Sequence, residues 1–297
     1  MTVLDHIGDT PLVKLRYLPE DYGDVYVKLE SFNPGGSIKT RVAAKMIENA
    51  ERDHRLQPGD TIIEATGGNT GIGLAIVSNI KGYKLVTVVP DNYSEKRINT
   101  LKAYGAQVIL SDHTQGNDSH IRLVQKLVEE HRNYVWVDQF HNPASVEAHY
   151  TGTAVEIRDQ IHPNAFAACV GSAGTFQGIG RFLRDNDPET LLYAVQPEGC
   201  DLENGMAVEH EIEGVSLGIT PPLLDYDLIT GYLDVGLWEV KDTLKTLARK
   251  EGLFLGMSSG ANILGAIRVA RMLGRGKIVC TVAPDGGSDY LDKLLGV

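Results

Sequence analysis

Short apolar runs alternate with longer amphipathic segments along almost the whole chain. Runs rich in Val, Ile, Leu and Ala predict strands at 25–29, 61–65, 85–89, 107–110, 134–137, 167–170, 192–196 and 277–282. Between them, helical periodicity predicts helices over 38–50, 70–81, 94–104, 120–130, 144–160, 176–184, 239–251 and 259–273. This alternation of element types implies parallel sheets with helices on their faces, an α/β fold. Glycine-rich turns fall where strands hand over to helices, at Gly67-Gly68, Gly171 to Gly174 and Gly286-Gly287. In open sheets that edge binds ligands. The stretch from Gly199 to Thr220 has no regular period and predicts a loop lying over a cleft.

At 297 residues the chain has room for one large α/β unit or two modest domains. A formal charge of -11 argues against a nucleic-acid or anionic-membrane surface. No apolar run reaches transmembrane length, and the segment from Met1 to Pro11 carries Asp5 and Asp9 instead of a signal-type apolar core. A cytoplasmic location is expected. Cys169, Cys200 and Cys280 are an odd set without Cys-x-x-Cys spacing, so neither a disulfide framework nor a zinc site is indicated. The histidines show no ligand spacing on one helix face; His141 and His149 read as structural or surface residues, and no metal is expected.

Candidate chemistry begins with Phe32-Asn-Pro-Gly-Gly-Ser-Ile-Lys-Thr-Arg41. Asn33 to Gly36 predict a turn and Ser37 a helix cap, which places Lys39 in the first helical turn. The helix dipole there disfavours a cation and lowers an amine's pKa, as suits a nucleophile or an imine-forming group. A second constellation, Glu64-Ala-Thr-Gly-Gly-Asn-Thr-Gly-Ile-Gly73, runs from a strand through a glycine turn into a helix. Its amides, with Thr66, Asn69 and Thr70, suit a carboxylate or phosphate. The same string fits the glycine pattern of short-chain dehydrogenases. It falls too late in the chain for them, however, and no tyrosine has a lysine four residues on. The third, Val170-Gly-Ser-Ala-Gly-Thr-Phe-Gln-Gly178, is a cup for a single phosphate and lacks the Gly-Lys-Ser/Thr ending of a nucleotide loop. Asp138-Gln-Phe-His-Asn-Pro143 offers Gln139 as a polar group, and in Gly256-Met-Ser-Ser-Gly260 either Ser258 or Ser259 is expected to cap the last long helix.

In this order the motifs resemble the pyridoxal-phosphate enzymes of the cysteine synthase (O-acetylserine sulfhydrylase) and cystathionine β-synthase family. The resemblance runs from Ile7-Gly-Asp-Thr-Pro-Leu-Val-Lys-Leu15 to Tyr290-Leu-Asp. Pro90-Asp-Asn, Asp138-Gln-Phe, His149-Tyr-Thr and Gln196-Pro-Glu-Gly199 make it nearest to the B-type cysteine synthases. It implies fold type II: two open twisted α/β domains with the active site between them, in a homodimer. The smaller, mobile domain would span 36–142, and 1–35 with 143–297 would form the larger one holding the cofactor phosphate. It implies Lys39 as the residue bonded to pyridoxal 5'-phosphate, Asn69 facing the ring hydroxyl, and Gly171, Ser172, Ala173, Gly174 and Thr175 taking the phosphate. Thr66, Gly67, Gly68, Asn69, Thr70 and Gln139 would receive the substrate α-carboxylate. The implied reaction is β-replacement. Lys39 removes the α-proton, the β-leaving group departs, and sulfide or a thiol adds. O-acetylserine plus sulfide would give cysteine and acetate. Replacement or elimination on cysteine or serine, yielding hydrogen sulfide, lanthionine or cystathionine, and an amine-accepting diaminopropionate-type synthase share the same machinery.

Several positions depart from the family pattern. Thr40 stands for an aspartate, Gly67 for a serine, Ser172-Ala173 for Thr-Gly, and Gly286 for the serine that often faces the pyridine nitrogen, leaving Ser258 as the substitute. Phosphoserine-using relatives carry an arginine in the covering loop, whereas no Lys or Arg occurs between Gln196 and Lys241. O-phosphoserine is therefore expected to be a poor donor.

Overall fold

The computed structural model describes residues 1–116 and 118–295. Its strands are β1 (Leu12–Lys14), β2 (Asp24–Leu29), β3 (Thr61–Ala65), β4 (Lys84–Pro90), β5 (Gln107–Ser111), β6 (Tyr134–Trp136), β7 (Ala165–Cys169), β8 (Leu191–Pro197), β9 (Gly231–Val235) and β10 (Ile278–Ala283). The helices are α1 (Lys39–Arg52), α2 (Asn69–Lys81), α3 (Glu95–Ala103), α4 (Ser119–Glu130), α5 (Ala144–Ala148), α6 (Ala154–Arg158), α7 (Gly174–Asn186), α8 (Leu237–Lys250), α9 (Met257–Leu273) and α10 (Leu291–Leu295), besides short 3-10 turns. All eight predicted strands are present, each within two residues of its predicted ends. The chain divides into two compact units, Met1–Ile7 with Asn33–Ser145, and Gly8–Phe32 with Val146 onward.

The first unit is built on a four-stranded parallel sheet ordered β5-β4-β3-β6. β3 is buried at every residue, as expected of a central parallel strand covered on both faces. Ile63, Ala65, Val86 and Val88 pack against Val124 of α4 in one core cluster. α1 and α2 approach so closely at Gly73 that a Cβ there would lie 3.0 Å from the Lys39 carbonyl oxygen and 3.0 Å from the Thr40 Cα. That approach ties the first turn of α1 to α2.

The second unit holds a six-stranded sheet ordered β1-β2-β10-β7-β8-β9, parallel except for the antiparallel β1–β2 pair. Strand pleating sends alternate residues of β7 to opposite faces. Ala165, Ala167 and Cys169 join Val195, Ala266 and Val269 in one cluster, while Phe166 and Ala168 join Phe176, Ile179 and Val282 in the other. β2 carries the fully buried Lys28. Its Nζ meets Glu156 Oε2 at 2.7 Å and donates to the Thr10 carbonyl oxygen. Burial is tolerable for this ammonium because both an opposite charge and a carbonyl meet it.

Some expectations need correction. The helix predicted over 144–160 is broken by a π-helical turn, His149–Thr153, between α5 and α6. It forms where α7 comes nearest: a Cβ on Gly178 would lie 2.5 Å from the Val146 carbonyl oxygen and 2.7 Å from the His149 Cβ. His149 is buried there and plays a structural part. Neither Ser258 nor Ser259 caps α9; its N-cap is Gly256, so both serines lie inside the first turn. Ser37 does bond the start of α1, accepting from the Lys39 amide at 3.3 Å, but the N-cap position belongs to Ile38. The stretch from Gly199 to Thr220 contains neither helix nor strand, only an isolated bridge between Asp201 and Met206. Among the described residues, no helix is long and apolar enough to cross a membrane.

Candidate active site

Within the first unit the turn before Lys39 forms as its residues dictate. Gly36 N–H donates to the Asn33 carbonyl at 2.8 Å, and Gly35 and Gly36 take positive φ of 80° and 73°, which side chains disfavour. Lys39 is the first residue of α1 and is half-buried. Its pKa is lowered, and the cause is desolvation by burial; the helix dipole invoked from the sequence is not needed to explain the direction. A lowered amine pKa favours the neutral, nucleophilic form.

The turn after β3 is held by local bonds. Thr66 Oγ1 accepts from the Gly68 amide at 3.3 Å, and α2 starts from the N-cap Gly68 with no side-chain cap. The first amides of α2 are thus left without a capping side chain, as an anion-accepting turn requires. Thr70 Oγ1 donates to Gln139 Oε1 at 2.7 Å, and both residues are buried. Ser145 Oγ fixes the other side of that turn by donating to the Gln139 carbonyl at 3.0 Å. Two constellations that lie sixty-nine residues apart therefore form one polar group. Behind it stands Glu64, buried in β3, with Oε2 lacking any hydrogen-bond partner among the described residues. Burial first, and then the Asp138 carboxylate, push its pKa up to about 8. In the sequence Glu64 is only the start of a motif, since nothing in its neighbours reveals a buried carboxyl with one oxygen unpartnered.

In the second unit, Gly171 to Ala173 link β7 to α7, and Gly174 and Thr175 begin the helix, again without a side-chain cap. Ala173 takes a positive φ of 69°, a conformation that costs a residue with a Cβ and is held by its surroundings. A Cβ on Gly171 would lie 2.1 Å from the Gly214 carbonyl oxygen, so only glycine fits against that loop backbone. The Ser216 amide donates to the Val170 carbonyl at 2.9 Å, and its buried hydroxyl has no partner among the described residues. Uncapped helix amides, a tight glycine turn and an unsatisfied hydroxyl fit a phosphate group. Thr175 Oγ1 lies 3.2 Å from His149 Nε2, and His149 Nδ1 lies 3.0 Å from Thr153 Oγ1, so the π turn orients the threonine. Ser258 is buried in the first turn of α9, and no hydrogen bond among the described residues joins it to 171–175. Asn262, one turn further along α9, accepts from the Cys169 amide at 2.6 Å and donates to the Val282 carbonyl at 2.9 Å. It locks α9 to the strand that leads into the phosphate-sized turn, a positioning role that sequence reading missed. Cys169 and Cys280 are buried thiols with raised pKa, inert as nucleophiles.

The first unit offers an amine of lowered pKa and a glycine turn with polar side chains at an uncapped helix start, and the second unit offers a phosphate-sized turn of its own. Residues 3–285 match the family profile described as pyridoxal-phosphate dependent enzyme. The chain belongs to this family. The chain is 43% identical to the cysteine synthase of Staphylococcus aureus, over 97% of this chain and 94% of that protein. Among solved structures it resembles O-acetyl serine sulfhydrylase isoform 3 from Entamoeba histolytica, with a TM-score of 0.94 and 34% identity, covering 100% of this chain and 91% of that one. A hydrogen sulfide-producing enzyme from Fusobacterium nucleatum gives a TM-score of 0.91 at 35% identity, covering 97% of each chain. The fold is accordingly type II of the pyridoxal-phosphate enzymes, and the protein is an enzyme that depends on pyridoxal phosphate.

Proposed function

We propose that this enzyme catalyses β-replacement on O-acetylserine, with sulfide as nucleophile, giving cysteine and acetate. The observation that carries the reading is the Thr70–Gln139 bond, which joins the turn 66–70 and the turn 138–143 into one carboxylate-sized polar group beside an uncapped helix start. Bound pyridoxal phosphate supplies an electron sink that acidifies the substrate α-carbon. The residues of the chain do the rest. Lys39 holds the cofactor covalently and, once released, takes the α-proton on Nζ; burial lowers its pKa, the direction that favours the neutral form a base requires. Gly171 to Thr175 take the cofactor phosphate, with His149 aligning Thr175. Asn69 faces the cofactor ring, and Ser258 is assigned to its nitrogen. Thr66 to Thr70 with Gln139 orient the substrate carboxylate and so fix which α-bond meets Lys39.

The loop 199–220 supports a neutral leaving group. It has no Lys or Arg, and two of its acids are already paired, Glu211 with Lys241 at 2.8 Å and Glu213 with Lys293. This pairing offsets two of the loop's five carboxylates and so weakens the negative field that would favour a cationic amine nucleophile. The test is a steady-state comparison of cysteine formation from O-acetylserine and from O-phosphoserine with sulfide, alongside hydrogen sulfide release from cysteine. O-acetylserine should exceed O-phosphoserine by about 30-fold or more in kcat/KM, the value of one missing charge-assisted contact. Equal turnover of the two donors, or sulfide release faster than cysteine synthesis, refutes the assignment.

A further inference from the structure

Gly67 is buried in the turn two residues beyond β3, and its φ is not in the left-handed region, so the backbone alone does not demand glycine there. The surroundings do. A Cβ at 67 would lie 2.6 Å from Tyr93 Cε1, 2.8 Å from Tyr93 Cδ1 and 2.8 Å from Val89 Cγ1. The Tyr93 ring already occupies the space that a side chain at 67 would fill. One residue on, a Cβ at Gly68 would lie 3.5 Å from the Tyr93 hydroxyl and 3.5 Å from an Arg97 guanidinium nitrogen. A phenol and a guanidinium thus converge on the outer edge of the turn 66–70, and both side chains are half-buried. Tyr93 reaches it from the turn after β4, where its amide donates to the Pro90 carbonyl at 3.0 Å. Arg97 follows in the first turn of α3.

We infer that Tyr93 and Arg97 are specificity-determining residues that engage the α-carboxylate of the amino-acid substrate, Tyr93 supplying the hydroxyl that position 67 lacks. The inference rests on the reading that the turn 66–70 receives that carboxylate. A guanidinium and a phenol both donate to a carboxylate, and the guanidinium bond is charge-assisted. A carboxamide of the same shape carries no charge to pair with the guanidinium and presents one acceptor oxygen where a carboxylate presents two, so the pair favours the anionic group over its neutral isostere.

The test uses the holoenzyme and two probes, L-serine and L-serinamide, with binding measured by calorimetry. Tyr93→Phe and Arg97→Met should each weaken L-serine by about tenfold while leaving L-serinamide within about twofold. With O-acetylserine, KM should rise by a similar factor at unchanged kcat. A stability cycle provides an arm independent of activity. Gly67→Ser should lower Tm because its Cβ meets the ring, and Gly67→Ser with Tyr93→Ala should recover much of the loss. If the wild type prefers L-serine over L-serinamide and both variants keep that preference, the pair has no such role and the inference fails alone. If the wild type shows no preference for the carboxylate, the reading of the turn fails first and carries the inference with it. A Gly67→Ser protein as stable as the wild type overturns the interlock between Gly67 and Tyr93.

Discussion

Glu64 should make the stability of this protein fall as pH rises, and Glu64→Gln should remove that slope. The carboxyl is buried in the central strand β3, with Oε2 unpartnered among the described residues, and its pKa is pushed from 4.5 up to about 8. Desolvation is the largest cause and the Asp138 charge the next. The Trp136 indole and the amides of Ala65 and Asp138 oppose the shift and are overcome. Below pH ~4.5 the carboxyl is protonated in both folded and unfolded chains and has no differential effect. Between there and about pH 8 the unfolded chain has lost this proton while the folded chain keeps it, so stability drops by about 1.4 kcal/mol per pH unit. Above that range both states are ionised and the loss stays constant. The full span gives a ceiling of about 5 kcal/mol, and relaxation around a buried group makes about 2 kcal/mol a safe lower expectation. Urea midpoints of the wild-type and Glu64→Gln holoenzymes, taken from pH 5 to pH 9, isolate the effect, because other titrating groups cancel in the difference. The variant should gain on the wild type steadily with pH. Two curves that stay parallel across this range would show that Glu64 is ionised in the fold or that its carboxyl is solvated.

Lys28→Met should cost about 3–5 kcal/mol, because it removes the buried ammonium that Glu156 Oε2 meets at 2.7 Å; adding Glu156→Gln should restore at least half of that in chemical denaturation. Gly171→Ala places a Cβ 2.1 Å from the Gly214 carbonyl oxygen, so the turn must move; stability should fall by about 1–3 kcal/mol, and pyridoxal phosphate should be lost on dialysis faster than from the wild type. Lys39→Ala should abolish covalent retention of the cofactor, read as the absence of the borohydride-fixed mass increment in intact mass spectra. It should also lower kcat by at least about a thousandfold, since both the attachment point and the base are removed.

The fold was readable from sequence where elements are long and buried. β3 and β7 are buried along their whole lengths and declare themselves as apolar runs between glycine turns. β1 has three residues and no buried position, and β9 buries only Val235 among half-buried and exposed residues, so neither carries a hydrophobic signal strong enough to stand out. Both sit at the edges of the six-stranded sheet, where pairing to one neighbour suffices. The π turn at 149–153 is silent in the sequence for a different reason. Its inserted register is set by how closely Gly178 of α7 packs against Val146 and His149, a contact between segments that share no local pattern.

The same distinction separates what was legible of the candidate site. Lys39 and the turns at 66–70 and 171–175 are local devices, in which glycines, a helix start and hydroxyls adjoin in sequence, so their chemistry can be read residue by residue. Tyr93 and Arg97 belong to another strand–helix connection and meet Gly67 and Gly68 only through the pairing of β3 with β4. Read alone, Gly67 looks like a conformational glycine, yet its φ does not require one; the residue is small because a ring twenty-six positions later occupies its side-chain space. Position 67 and position 93 therefore answer one packing constraint together. Changing either alone should cost more than the pair of changes made together, and independent, additive effects at the two positions would show that the turn and the tyrosine do not interlock.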